Sequence, residues 1–317
     1  MTRDSRVFVT GNPRSGTTWA ARVLGHCAGA HLVHEPDDDE RAPFAPFATR
    51  GLGHLPDLRP GDAAPRYELM WEMAFEGGWP QRPWSSSAAH AAALLPPAVT
   101  RAPLLGLRRA THRRHGHRHH VVKSVRTLFS AEWVADRCQP RVLVILRSPL
   151  NMLGSWLRLG WGSYGIDDHP RAQAWLEPLG LWPAPPEPGV ANTIWTICAR
   201  NHMLRQTAAR NPQWQVAWHE DLSADPIPRF GSLSGALGLR WTEEASEYVR
   251  SVDRPGSGWD VVRVASEEVE VWRKRLDPEQ LQVAQVMIDR FESATGLSAT
   301  GGGSQDLSAN PGVATAG

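Results

Sequence analysis

The sequence predicts a three-layer α/β fold: a P-loop-like domain with a central five-stranded parallel sheet flanked by helices. Three observations predict it. Five short apolar runs are each followed by a helical pattern or a loop, without the tight turns of a hairpin protein. The runs are continuous rather than alternating, as in strands buried on both faces. The first run ends in a glycine-bounded loop that opens directly into a helix.

The strands are expected at Val7–Thr10, His31–His34, His120–Lys123, Val142–Leu146 and Trp214–Trp218. Helices are expected at Thr17–Gly25, Thr127–Arg137, Pro149–Leu159 and Asn192–Arg210. The last carries Ile194, Trp195, Ile197, Cys198, Met203 and Leu204, the pattern of a buried face. Further helical stretches fall near Tyr67–Glu76 and Ala88–Leu95, and an amphipathic one follows Trp272-Arg273-Lys274-Arg275-Leu276. Residues 1–297 read as one domain. Two long Pro- and Trp-rich excursions, 36–119 and 160–191, leave C-terminal strand edges and are expected to wall a substrate-binding pocket. The Gly/Ser/Ala-rich tail 298–317 is expected to be disordered. The run Arg108–His120 holds Arg108, Arg109, Arg113, Arg114 and many histidines. Their spacing matches no metal-ligand set, so a solvated basic loop is expected.

The chain has 317 residues with 34 Lys and Arg against 33 Asp and Glu, a net charge of +1. That balance gives no electrostatic footprint for nucleic acid. Cys27, Cys138 and Cys198 are far apart and odd in number, which fits a reducing compartment. No apolar run approaches the roughly 20 residues of a membrane span, and the charged start is no signal peptide. A cytoplasmic protein is expected; its oligomeric state is left open.

The chemistry is concentrated in Gly11-Asn12-Pro13-Arg14-Ser15-Gly16-Thr17-Thr18-Trp19. Gly11-x4-Gly16 after a strand wraps backbone N–H groups around an anion, and the helix N-terminus adds its dipole. A nucleoside-triphosphate loop has Lys after the second glycine. Here Thr17 stands there and the cation is Arg14, so Mg-ATP is not the expected ligand.

Pro-Arg-Ser-Gly-Thr-Thr-Trp after an N-terminal strand resembles the 5′-phosphosulfate loop of the PAPS-dependent sulfotransferases, here of bacterial, cytosolic type. PAPS is 3′-phosphoadenosine 5′-phosphosulfate. The resemblance implies that Arg14, Ser15, Gly16, Thr17, Thr18 and Trp19 bind this donor, without a metal. Arg147, Ser148 and Pro149 leave the fourth strand, and Ser155 lies about two helical turns on. This Arg-Ser-Pro-x5-Ser arrangement is similar to the family's 3′-phosphate site, which implies Arg147 and Ser155 in that role. The loop Arg254-Pro255-Gly256-Ser257 resembles the segment that closes over the same phosphate, although the fuller Arg-Lys-Gly form is absent. Arg254 and Ser257 are carried over from it. His219-Glu220-Asp221-Leu222 reads as a helix-entry element that orients the core.

Sulfuryl transfer needs an in-line acceptor, a base and cations. The second strand ends His34-Glu35-Pro36, and Glu35 resembles the base of glycan O-sulfotransferases; His34 is its rival. Strand alternation sends neighbours to opposite faces, so one of the two is expected to point away. Lys123-Ser124 at the third strand's end resembles the Lys-Ser whose lysine approaches the sulfonate, although Val125 stands where that family continues with Pro. The resemblance implies a sulfate ester and 3′,5′-ADP as products. The 15 tryptophans, several in the Pro/Gly-rich excursions, suggest an apolar or aromatic small-molecule acceptor. A nucleotide-dependent small-molecule kinase and a non-catalytic nucleotide-binding protein are the alternatives.

Overall fold

A computed structural model describes residues 5–79, 85–114, 116–162, 165–255 and 265–298. Five strands, β1 (Arg6–Gly11), β2 (Ala30–His34), β3 (His119–Ser124), β4 (Arg141–Leu146) and β5 (Gln215–Trp218), form a parallel sheet in the order β2-β3-β1-β4-β5. The expected five-stranded parallel sheet flanked by helices is thus present.

Alternation along the strands explains the three layers. Val7 and Val9 of β1 join Val121, Leu143 and Ile145 in a core under the Thr17–Gly25 helix. Phe8 faces the other way, with Val33, Val122, Val142 and Val144. That side is covered by the helices Pro65–Ala74, Ala131–Cys138, Pro149–Arg158, Val190–Arg210 and Pro278–Thr295. Each such fully buried apolar side chain contributes about 1.5–3 kcal/mol, which is why the middle of each strand is apolar and the polar residues of β2 and β3 fall toward the strand ends. The last helix is well bounded. Asp277 and Gln280 form a reciprocal capping box at its start, and Gly296 ends it in the left-handed region.

β1 lies between β3 and β4, and the chain leaves β1 toward one edge and β4 toward the other. The crevice this opens beyond the C-terminal strand ends is where such sheets bind ligands.

Two expectations change. Arg108–His120 is not a solvated basic loop. Its first part belongs to the helix Pro97–Arg114, which contains the exposed Pro103, and His112, His119 and His120 are buried. Nor is 36–119 mainly a pocket wall: Tyr67, Leu69, Met70 and Trp71 of the Pro65–Ala74 helix are core. The tail beyond Ser298 lies outside the described residues. Cys27, Cys138 and Cys198 are buried free thiols, and no described helix is long and apolar enough to cross a membrane.

Candidate active site

All five strands deliver side chains to one cleft of about 770 Å³. Arg14 follows β1, His34 and Glu35 end β2, Lys123 ends β3, Arg147 follows β4 and His219 follows β5.

The loop after β1 has the backbone shape expected of an anion cradle. Arg14 (φ 68°) and Gly16 (φ 91°) both adopt left-handed backbone. At Gly16 no side chain is admissible, since a Cβ would lie 2.1 Å from Cδ2 of His219. Gly16 caps the Thr17–Gly25 helix without a side-chain bond. The first-turn amides, which have no partner within the helix, therefore open on the cleft beside Thr17 and Thr18. Ser15 departs from expectation. Its amide is spent on the Asn12 carbonyl (3.1 Å), and its buried Oγ makes no hydrogen bond among the described residues. It shapes the turn and does not donate to the cleft. The Trp156 indole N–H holds the Pro13 carbonyl at 3.1 Å, so the loop is anchored from the Pro149–Arg158 helix.

Below the loop lies a buried polar network that the sequence did not signal. Asn12 donates to Asn201 Oδ1 at 2.7 Å and accepts from Arg200 Nε at 2.8 Å. Asn201 in turn donates to the Arg147 carbonyl at 3.0 Å. Buried hydrogen bonds of this kind fix geometry, and these tie the first loop to the end of β4.

Arg147 is buried, with Nη1 on the Arg14 carbonyl at 3.0 Å and Nη2 on Glu268 Oε2 at 2.6 Å. Ser155 Oγ accepts from Arg14 Nε at 3.0 Å. The residues expected to form the two anion subsites are thus adjacent and linked through Arg14. Glu220 accepts from the Ser148 amide (3.0 Å) and Asn151 Nδ2 (2.7 Å). The Pro149–Arg158 helix is therefore capped by Glu220, with no side-chain bond from Ser148. Arg254 is exposed and is not among the residues lining the cleft. Ser257 lies outside the described residues. From the C-terminal part, Ala265 and Glu268 reach the cleft instead.

Opposite the cradle, Glu35 and His34 both line the cleft. Alternation does not separate them because Glu35 lies just beyond β2 with φ 47°. Its amide bonds the Lys123 carbonyl at 2.7 Å, and its carboxylate pairs with the buried Lys123 ammonium. Arg41 Nε stands 3.4 Å from Glu35 Oε2, and His34 Nδ1 stands 3.7 Å from the same oxygen. His34 Nε2 reaches Thr18 Oγ1 at 3.5 Å, tying this group to the cradle.

Electrostatics set the charge states. Burial pushes the Glu35 carboxyl up, but the Lys123 ion pair outweighs it and the net shift is downward. Burial, with repulsion from Lys123, lowers His34 to about 4. Burial lowers Lys123 below the usual ammonium range against the pull of Glu35. At neutral pH the cleft thus holds the Glu35 carboxylate and a neutral His34 imidazole, with Lys123 Nζ paired to Glu35. Burial and Arg147 likewise keep His219 neutral.

The expected tryptophan lining is only partly there. Trp19 and Trp161 line the cleft, whereas Trp71, Trp133, Trp156 and Trp195 are fully buried. From the excursions, Asp38, Glu40, Arg41 and Trp161 reach it among the described residues; Arg22 and Arg126 add charge.

No family model and no curated protein matches the chain. Solved structures with similar shape include the sulfotransferase domain of the Synechococcus PCC 7002 olefin synthase, 16% identical over 90% of this chain and 95% of that one, with a TM-score of 0.47. The sulfotransferase domain from the curacin biosynthetic pathway is 12% identical over 90% of this chain and 98% of that one, at 0.48. A mouse sulfotransferase, SULT7A1, complexed with PAP is 12% identical over 92% and 85%, at 0.44.

Proposed function

We propose that the chain is a cytoplasmic enzyme that transfers a sulfuryl group from PAPS to a hydroxyl or amine of a small-molecule acceptor, releasing 3′,5′-ADP. One observation carries this reading. A single cleft holds two adjacent cationic anion subsites, the Arg14–Thr18 cradle and Arg147, facing the Lys123–Glu35 pair. A donor with a 5′-anhydride and a separate 3′-phosphate matches two subsites. A simple NTP loop would need one, with a lysine where Thr17 stands. The buried free thiols fit a reducing compartment.

The residues fit that donor. The amides and hydroxyls of Thr17 and Thr18, with Arg14, would hold the phosphosulfate end. Arg147, with Ser155 behind Arg14, would hold the 3′-phosphate, and the Trp19 ring offers a face for the base. When bound, the donor supplies an electrophilic sulfur on a phosphate leaving group. Lys123 supplies positive charge for the sulfonate and leaving oxygens, the kind of fixed electrostatic help that dominates such transfers. Glu35 takes the proton of the acceptor hydroxyl or amine as the new bond to sulfur forms and the bond to the phosphate breaks. Its carboxylate becomes available as Lys123 turns toward the developing charge. Neutral His34, between Thr18 and Glu35, positions the acceptor side. An apolar or aromatic acceptor would rest on Trp161, in a cleft otherwise rich in charge.

The test is calorimetric binding of 3′,5′-ADP, 5′-AMP and Mg-ATP to the wild type and Arg147→Ala. A preference for 3′,5′-ADP that the variant loses is expected. Tighter binding of Mg-ATP than of 3′,5′-ADP would sink the reading in favour of a kinase.

A further inference from the structure

A second cluster of chemistry-bearing side chains lies at the opposite end of the sheet. His31 is the second residue of β2, His112 lies in the last turn of the Pro97–Arg114 helix, and His117 sits in the turn that leads to β3. Their ligand nitrogens all lie within 4.8 Å of one another. His120 of β3 is the register partner of His31 and shares its face. Its Nε2 is buried without a hydrogen-bond partner among the described residues.

We propose that His31, His112 and His117 bind a divalent transition ion of the zinc type, with His120 as the fourth donor. Zinc takes imidazole nitrogen at about 2.0–2.1 Å in a tetrahedron, which places neighbouring nitrogens about 3.3 Å and ring centroids about 5 Å apart. Here the His112 and His117 Nδ1 atoms are 3.2 Å apart. The ring centroids of His31, His112, His117 and His120 stand 4.5, 4.8, 5.3, 5.4 and 6.1 Å apart in five of their pairings. A ligating histidine characteristically gives its other nitrogen to a carbonyl, and His31 has a hydrogen bond to the Gly77 backbone.

One group now opposes the ion. The Arg108 guanidinium donates from Nη2 to His112 Nε2 at 2.7 Å and to the Gly77 carbonyl at 2.8 Å. Arginine has no acceptor, so this bond occupies a His112 lone pair. Arg108 thus stands as a resident cation that the metal must displace. A four-histidine set leaves no open position, which marks a structural site. It would pin the end of the Pro97–Arg114 helix to the edge of the sheet. His31 and His34 are three residues apart on β2, about 10 Å along the strand, so the site is separate from the cleft.

The test titrates Zn²⁺, by calorimetry, into chelator-stripped, untagged full-length chain, with Co²⁺ in parallel for its visible absorption. One ion per chain is expected, with intense Co²⁺ bands of tetrahedral nitrogen ligation and a raised thermal midpoint. His31→Ala and His112→Ala should each weaken binding about tenfold or more. Arg108→Ala, which removes the competitor and no ligand, should tighten binding severalfold. If a histidine variant fails to fold, Arg108→Ala and His117→Gln decide the matter in its place. Stoichiometry well below one, octahedral Co²⁺ spectra, or Zn²⁺ affinity indifferent to both His117→Gln and Arg108→Ala would overturn the site.

Discussion

The Glu268 carboxylate lies 2.6 Å from Arg147 Nη2, on the guanidinium proposed to hold the 3′-phosphate. Arg275 also reaches Glu268, at 3.3 Å. The carboxylate occupies Nη2, part of the fork a phosphate would need, so on the proposed reading carboxylate and phosphate compete. Glu268→Gln removes the competing charge and keeps the shape. We expect 3′,5′-ADP to bind about three- to tenfold tighter, or about 1 kcal/mol, with 5′-AMP unchanged. Calorimetry on the two nucleotides reads this directly. Equal effects on both would mean that Glu268 seats Arg147 and does not compete.

Gly16 meets two constraints, a positive φ of 91° and the His219 ring at 2.1 Å from any Cβ. Gly16→Ala violates both. We expect about 1–3 kcal/mol of lost stability, by urea unfolding, together with loss of nucleotide binding. Adding His219→Ala makes space but leaves the strain, so the double variant should recover part of the stability only. Full recovery would show that steric contact alone demands glycine.

What the sequence disclosed, and what it hid, follows from the range of the interactions. The strands were legible because burial on both faces leaves continuous apolar runs. Arg147 was legible because it leaves such a run at once. Glu268 was not, since it comes from 121 residues farther along and from a stretch without periodicity. The Asn12–Asn201 bond spans 189 residues and is equally silent. Alternation misjudged Glu35 because one residue past the strand turns into the left-handed region. The His-rich run looked like a solvated loop because its partner His31 is contributed by another strand. The Pro97–Arg114 helix was masked by Pro103 and Gly106, whose propensities tertiary packing overrides.

The charge states at the cleft fix a pH profile. A carboxyl lowered in the folded protein stays ionised until the pH falls below its ordinary value, 4.5 for Glu35. An ammonium lowered by burial loses its proton before its ordinary value is reached as pH rises, 10.5 for Lys123. With Glu35 as base and Lys123 as the charged helper, kcat/KM should be flat through neutrality. It should fall on the alkaline side earlier than a free lysine would dictate. Glu35→Gln and Lys123→Ala should each lower kcat about 10²–10⁴-fold, and His34→Ala far less. A His34→Ala loss as large as that of Glu35→Gln would transfer the base to the imidazole.

Asp37, beside this group, is fully buried. Its Oδ2 accepts from Ser124 Oγ at 2.7 Å, while its Oδ1 makes no hydrogen bond among the described residues. Burial raises its carboxyl from 3.8 to about 6, against the Ser124 bond and the nearby Arg126. The sign follows from linkage. The folded chain holds this proton more tightly than the unfolded chain. The associated stability is complete below pH 3.8 and is lost as the pH rises through about 6. Asp37→Asn keeps an acceptor for Ser124 and removes the buried charge. Its advantage over the wild type should therefore be small near pH 4, grow to about pH 6 and be level above it. The shift of roughly two units sets an upper size of about 3 kcal/mol, and the Oδ1 side, left without a partner in either form, brings the expectation to about 1–2 kcal/mol. Urea unfolding of both proteins at pH 4.5, 6 and 8 checks the pH dependence. An advantage independent of pH would show that Asp37 is not the titrating group.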